Sequence, residues 1–137
     1  MGRIMAIDYG RKRTGLAVTD ELQLIATPLT TVETQNLMKY LSEYVSKEKV
    51  DCFVVGEAKR MDNSPSESAQ YIEPFVAKLK EKYPQIPVER IDERFTSKIA
   101  FQAMIDGGLK KKQRQNKALI DTVSAVIILQ SYMQLHK

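Results

Sequence analysis

The sequence predicts an α/β fold: a mixed five-stranded sheet, three strands antiparallel and two more parallel, with helices on its faces. Three observations lead there. An apolar run at residues 4–7 is followed, across a short glycine-bracketed turn, by a second at 16–18, which reads as a β-hairpin. A third strand-like run follows after another short turn. Two later apolar runs, at 50–55 and 88–91, are each reached through a stretch with helical periodicity. Strands joined by short turns run antiparallel, whereas strands reached through helices become parallel neighbours by right-handed crossovers.

Asp8 closes the first run, and Gly10 and Gly15 bracket the basic turn Arg11-Lys12-Arg13. A carboxylate ending a buried strand needs a cation, a metal or a hydrogen-bond donor. An Asx-turn that caps the loop is the plainer alternative. After a turn at Thr19, Asp20 and Glu21, a third strand is expected over 24–32, with Pro28 putting it at a sheet edge or a bulge. Leu37, Met38, Leu41, Tyr44 and Val45 recur at helical spacing, so a helix is expected over 35–47. Asp51 interrupts the run 50–55, and Gly56 and Glu57 end it.

Beyond a loop at 58–63, Ser64, Pro65 and Glu67 combine a capping box with proline at the first helical position. That helix should run to Lys82, with Pro74 kinking it or dividing it in two. The strand 88–91 is closed by Asp92-Glu93-Arg94. Thr96 caps a helix reaching Asp106, which Gly107 and Gly108 terminate, and a last helix is expected over 115–134.

At 137 residues the chain reads as one domain, 1–137, with room for a single substantial core. No apolar run of about 18 residues is present, so no membrane span is expected. Strand-like sequence and Asp8 arrive too early for a signal peptide. One cysteine, Cys52, excludes a disulfide framework and fits a reducing cytoplasm. Its apolar surroundings make it a buried, inert thiol. The one histidine, His136, argues against a histidine-based metal centre or triad. Net charge is +4, a mild excess compatible with a polyanionic partner. Much of it is local: Lys110, Lys111, Lys112, Arg114 and Lys117 lie together without an acid. The run is either a solvated loop or a phosphate-binding segment.

The acids fall in a pattern. Asp8, Glu57 and Asp92-Glu93 all end core strands, and sites in parallel parts of α/β sheets gather at the carboxyl ends of strands. Asp121 has Ala118, Ala125 and Ile128 as helical neighbours, so it lies on an apolar face and needs a partner, structural or functional. Carboxylates from several elements amid basic residues suit a hard, oxygen-seeking cation such as Mg²⁺ or Mn²⁺. Paired ions of this kind support phosphodiester hydrolysis.

Ile7-Asp8-Tyr9-Gly10 with Arg13, Gly15 and Ala17, then Val55-Gly56, then Asp92-Glu93-Arg94-Phe95-Thr96-Ser97, and finally Asp121 with Ala125 and Ile128-Leu129-Gln130, resemble the YqgF-type (RuvX-like) family. Its members are described as Holliday junction resolvases of the ribonuclease H-like superfamily and as nucleases maturing the precursor of small-subunit ribosomal RNA. The resemblance runs the length of the chain, and its Asp-Glu-Arg-x-Thr-Ser signature is the most specific part. It implies a ribonuclease H-like fold and a nuclease processing the 5′ end of pre-16S rRNA. Asp8, Glu93 and Asp121 would be the metal-binding acids, with two Mg²⁺ or Mn²⁺ ions, and Arg13 and Arg94 would contact phosphate. The chain departs from the family where Glu57-Ala58 replaces the usual Leu-Pro. Glu57 either joins the metal site or is a substitution at its rim.

Three functions compete on the sequence. The leading one is a cytoplasmic metal-dependent nuclease acting on structured RNA or branched DNA, with Asp8, Glu93, Asp121 and as a further candidate Glu57 catalytic. Arg13, Arg94, Lys110, Lys111, Lys112 and Arg114 would hold the substrate. A dimer would suit a two-fold symmetric junction, and a monomer suffices for RNA trimming. The second is a nucleic-acid-binding factor without catalysis, in which the acids are structural. The third is a nucleotide-binding module of the sugar-kinase and actin type, disfavoured because such proteins need a second similar domain and richer glycine loops.

Overall fold

A computed structural model describes residues 2–57, 69–92 and 117–135, without the side chains of 117–121. The chain opens with three strands, β1 (Arg3–Asp8), β2 (Arg13–Thr19) and β3 (Ala26–Glu33). A 3₁₀ turn at Thr34–Asn36 leads into α1 (Leu37–Lys47), followed by β4 (Val50–Glu57). Then come α2 (Ala69–Lys82), β5 (Val88–Asp92) and α3 (Lys117–Leu135). The strands form one sheet in the order β3-β2-β1-β4-β5. The β1–β2 and β2–β3 pairs are antiparallel, and β1–β4 and β4–β5 are parallel, as expected.

Alternation along the strands divides the core in two. Met5, Ile7, Leu16, Val18, Phe53 and Val55 point to the face covered by α1 and α2. Ile4, Ala6, Ala17, Cys52, Val54 and Ile91 point to the other, where Ala125, Ile128 and Leu129 of α3 pack. Helix α3 lies chiefly across β2, β3 and β1. Cys52 is buried, and burial pushes its thiol pKa up, in keeping with an inert role.

Several boundaries differ from the sequence expectation. Leu24 and Ile25 precede β3 and are 68% and 64% exposed. The Asp20 carboxylate accepts backbone N–H groups from Leu22, Leu24 and Ile25, and Gln23 adopts a positive φ of 58°. This acid-centred turn takes the N–H groups that a strand ladder would otherwise use. The same bonds, led by that from Ile25, hold the Asp20 pKa below its ordinary value. Pro28 is on an edge strand and also beside a register shift. Gly56 and Glu57 continue β4, because the ladder to β5 extends through the Gly56–Ile91 and Glu57–Asp92 pairs. Helix α2 carries Pro74 inside one unbroken element, not two.

Asp51, the odd acid of an apolar run, accepts hydrogen bonds from the Gly2 N–H (2.8 Å) and Gln23 Nε2 (3.2 Å). The expected capping box at 64–67, the helix 96–106, Glu93, Arg94 and the basic residues 110–114 lie outside the described residues. Among the described residues no helix is long and apolar enough to cross a membrane.

Candidate active site

One row across the sheet organises the site. Asp8 pairs with Gly15 of β2, and Gly15 pairs with Thr31 of β3. Asp8 has the same parity as Ile4 and Ala6, so it belongs to the face covered by α3. At the far end of the row the Thr31 hydroxyl is hydrogen-bonded to the Thr122 hydroxyl, which pins the start of α3 to that face. Asp121 is the residue before Thr122. Neighbouring strands lie about 4.8 Å apart, so Asp8 and Thr31 are roughly 10 Å apart along the row. Gly15, buried between them, adds no side chain to fill that interval. The helix bearing Asp121 therefore begins on the sheet face to which Asp8 belongs.

The turn after Asp8 is fixed by backbone. A Cβ on Gly10 would fall 2.1 Å from the Arg13 carbonyl oxygen, so the turn closes this tightly only with glycine. Thr34 locks it from β3's end: its N–H donates to the Lys12 carbonyl (2.9 Å) and its hydroxyl to the Gly10 carbonyl (2.6 Å). Arg11, Lys12 and Arg13 consequently line a concavity of ≈ 440 Å³ with Glu33 and Gln35. The Gln35 amide donates to Glu33 at 2.8 Å. Among the described lining residues three cations stand against one acid, so the field is positive at the edge where Asp8 ends its strand.

Glu57 and Asp92 stand side by side at the ends of β4 and β5. Glu57 has the parity of Phe53 and Val55, the face opposite to that of Asp8. Arg90 shares that side: it donates to the Val55 and Gly56 carbonyls (3.2 and 3.1 Å) and forms a two-pronged pair with Glu73 of α2 (2.8 and 2.9 Å). That pairing, first through its hydrogen bonds, lowers the Glu73 pKa. Among the described residues no three His, Cys, Asp or Glu side chains group as a metal cage.

Sequence reasoning named Asp8, Arg13 and Asp121. It passed over Thr31 and Thr122, which tie helix to sheet, and it named Gly15 only as a turn and motif residue, not as the residue between Asp8 and Thr31. Their signal was present in the β-branched Thr30-Thr31-Val32 run but became readable only with the register. Tyr71 was likewise not singled out, and Tyr9 was named only as part of the opening motif.

A sheet of this order, with an acid closing the central strand and a long helix across that face, defines the ribonuclease H-like class of α/β proteins. Two structures of RuvC from Thermus thermophilus share it. One, in complex with Holliday junction substrate, gives a TM-score of 0.61 at 16% identity and covers 100% of this chain and 98% of that one. The other gives 0.57 at 18%, covering 98% and 96%. At those identities the likeness speaks for the fold.

The family RuvX, described as Holliday junction resolvase, matches residues 2–135, and the chain belongs to that family. Among its relatives is a protein of Phocaeicola vulgatus named "Putative pre-16S rRNA nuclease", 60% identical over 137 residues, covering all of this chain and 99% of its own. A protein of the same name from Christiangramia forsetii is 58% identical over 133 residues, 97% of this chain and 98% of its own.

Proposed function

We propose that this chain is a metal-dependent nuclease that hydrolyses phosphodiester bonds at the 5′ end of pre-16S rRNA, working in the cytoplasm and able to act as a monomer. The observation that carries the reading is the row Asp8–Gly15–Thr31 with Thr122 bonded at its end, because it starts the Asp121 helix on the face of Asp8. The names of the relatives supply the substrate.

The donor set fits a hard divalent cation: Asp8, Glu93 and Asp121 offer oxygen alone, and would hold Mg²⁺ or Mn²⁺. Bound there, such ions supply charge neutralisation at the phosphate and lower the pKa of a coordinated water. Glu57 has the parity of Phe53 and Val55, on the face opposite to that of Asp8, so this reading leaves it outside the set. The rest falls to the chain's own cations. Arg13, with Arg11 and Lys12, holds the phosphate beside the one that reacts, in a turn that Gly10 and Thr34 keep rigid. Arg94, Lys110, Lys111, Lys112 and Arg114 extend that grip along the strand. None of these contacts reads a base, so specificity for the processing site rests on shape and on unpaired segments.

A second reading, cleavage of branched DNA, is favoured by the description of the family. Purified protein offered a pre-16S leader RNA and a synthetic four-way junction separates the two. The expected result is RNA cleavage in Mg²⁺ that stops in EDTA, with the junction intact. Junction cleavage at an equal or greater rate would overturn the RNA assignment. Loss of metal dependence with retained RNA binding would point to a non-catalytic factor.

A further inference from the structure

Directly behind Asp8, on the opposite sheet face, lies a cleft that the phosphate chemistry leaves unused. Tyr9 has the parity of Ile7, and its ring stacks on Phe75 of α2 with centroids 4.6 Å apart and planes 20° from parallel. One helical turn earlier, Tyr71 is 39% exposed and carries the Arg11 guanidinium over its ring, 4.9 Å from the centroid. Tyr9, Phe75 and Tyr71 line a pocket of ≈ 270 Å³, joined by Thr34, Gln35 and Lys78, and among the described residues no acid lines it. Gln35 also lines the Arg11–Lys12–Arg13 concavity, so the two hollows share a wall. Pockets for drug-sized ligands run from about 300 to 1,000 Å³, which makes this one the size of a single ring system.

We propose that this cleft accepts one unstacked base of a single-stranded RNA, and so selects unpaired segments next to the scissile bond. The proposal rests on the nuclease reading above and deepens it. A planar cation already occupies the Tyr71 face, which marks that face as one open to a flat, electron-poor partner. A base takes the same face, and Arg11 turns to the adjoining phosphate. Lys78, on the same wall, offers an ammonium to the base edge or sugar. Tyr9 follows Asp8 directly in the chain and points to the opposite face, so a strand whose phosphate sits at Asp8 reaches the cleft around the end of β1. A paired base is held in its stack and by its partner and does not enter such a cleft, whereas an unpaired one is free to.

The test is fluorescence anisotropy in Ca²⁺ with a labelled single-stranded RNA of about 10 nucleotides, intact or with one abasic position moved along it. Tyr71→Ala is compared with the parent and with Tyr71→Phe, all checked by thermal melting. Aromatic stacking contributes a factor of about 5 to 150 per base. The parent should lose affinity by such a factor at one abasic position. Tyr71→Ala should lose it on the intact strand and nothing further at that position. Tyr71→Phe should match the parent, and duplex RNA should not distinguish the three. Equal abasic losses in parent and Tyr71→Ala, or unchanged affinity in Tyr71→Ala, would overturn the cleft while leaving the nuclease reading standing. A parent that binds no RNA would overturn both.

Discussion

The two faces of the sheet are built from side chains of different size, and the difference separates stability from chemistry. Under α1 and α2 lie Phe53, Met5, Ile7 and Leu16, met by Leu37 and Leu41 of α1 and Leu79 of α2, all at 0–1% exposure. Under α3 the strands offer Ile4, Val54 and Ile91 but also the small Ala6, Ala17 and Gly15, with Ala125 on the helix. Bulky residues fill space and exclude water, which is where most of the hydrophobic stabilisation arises. Small ones let a helix approach the sheet. Here the approaching helix carries an acid, and the strand it approaches ends in one.

The largest effect on stability is expected on the bulky side. Phe53→Ala should cost about 3–5 kcal/mol, from lost transfer energy and the cavity left behind. Denaturant unfolding reads the loss, and the rate per folded molecule should stay near that of the parent. A collapse of that rate would mean the two faces are not separable.

The next prediction probes the join. Thr122→Val removes one hydrogen bond, about 1 kcal/mol of stability. It also frees the turn that holds Asp121, and a misplacement of about 1 Å can cost on the order of 10²-fold in rate. Half-saturation should move to higher Mg²⁺, and Thr122→Ser should restore it. A variant with parent Mg²⁺ dependence would reduce the Thr31–Thr122 bond to packing.

Much of this was legible beforehand, and the failures have physical causes. The first hairpin, Cys52 in the core and the change from antiparallel to parallel pairing all followed from periodicity and loop length. The start of β3 did not, because Asp20 captures the N–H groups of Leu24 and Ile25, and apolarity alone does not reveal that competition. The end of β4 was misread because Gly56 looked like a breaker, whereas a neighbouring strand paired it. Asp8 and Asp121 stood out as acids in apolar settings. Thr31 and Thr122 did not, since their importance lies in cross-strand register. The face assigned to Glu57 is likewise a matter of register.

Smaller effects belong to charges away from the core. Replacing Lys110, Lys111 and Lys112 with Gln should flatten the plot of log affinity against log salt by about 2 if all three touch single-stranded RNA. Melting temperature should hardly change. An unchanged slope would return the run to a solvated loop.

Smallest is the pH term on the bulky side. The Glu73 pKa is lowered in the folded state, so its pairing with Arg90 contributes stability above the ordinary carboxylate value of about 4.3. That contribution is lost as pH falls through the lowered value, because the unfolded chain then binds more protons. Glu73 is half exposed, so the amount is below about 1 kcal/mol. Melts from pH 6 down to about 3 should fall less steeply for Glu73→Gln, with no change in metal dependence.

The most direct test of the division between the faces is Asp8→Asn. The substitution keeps the side chain's shape and removes the charge that a divalent cation needs. Cleavage of pre-16S leader RNA in Mg²⁺ should fall on the order of 10³-fold while the melting temperature stays within a few degrees of the parent's. A purified, folded variant that still cuts within about threefold of the parent rate would contradict the account, since losing a required metal ligand should cost far more.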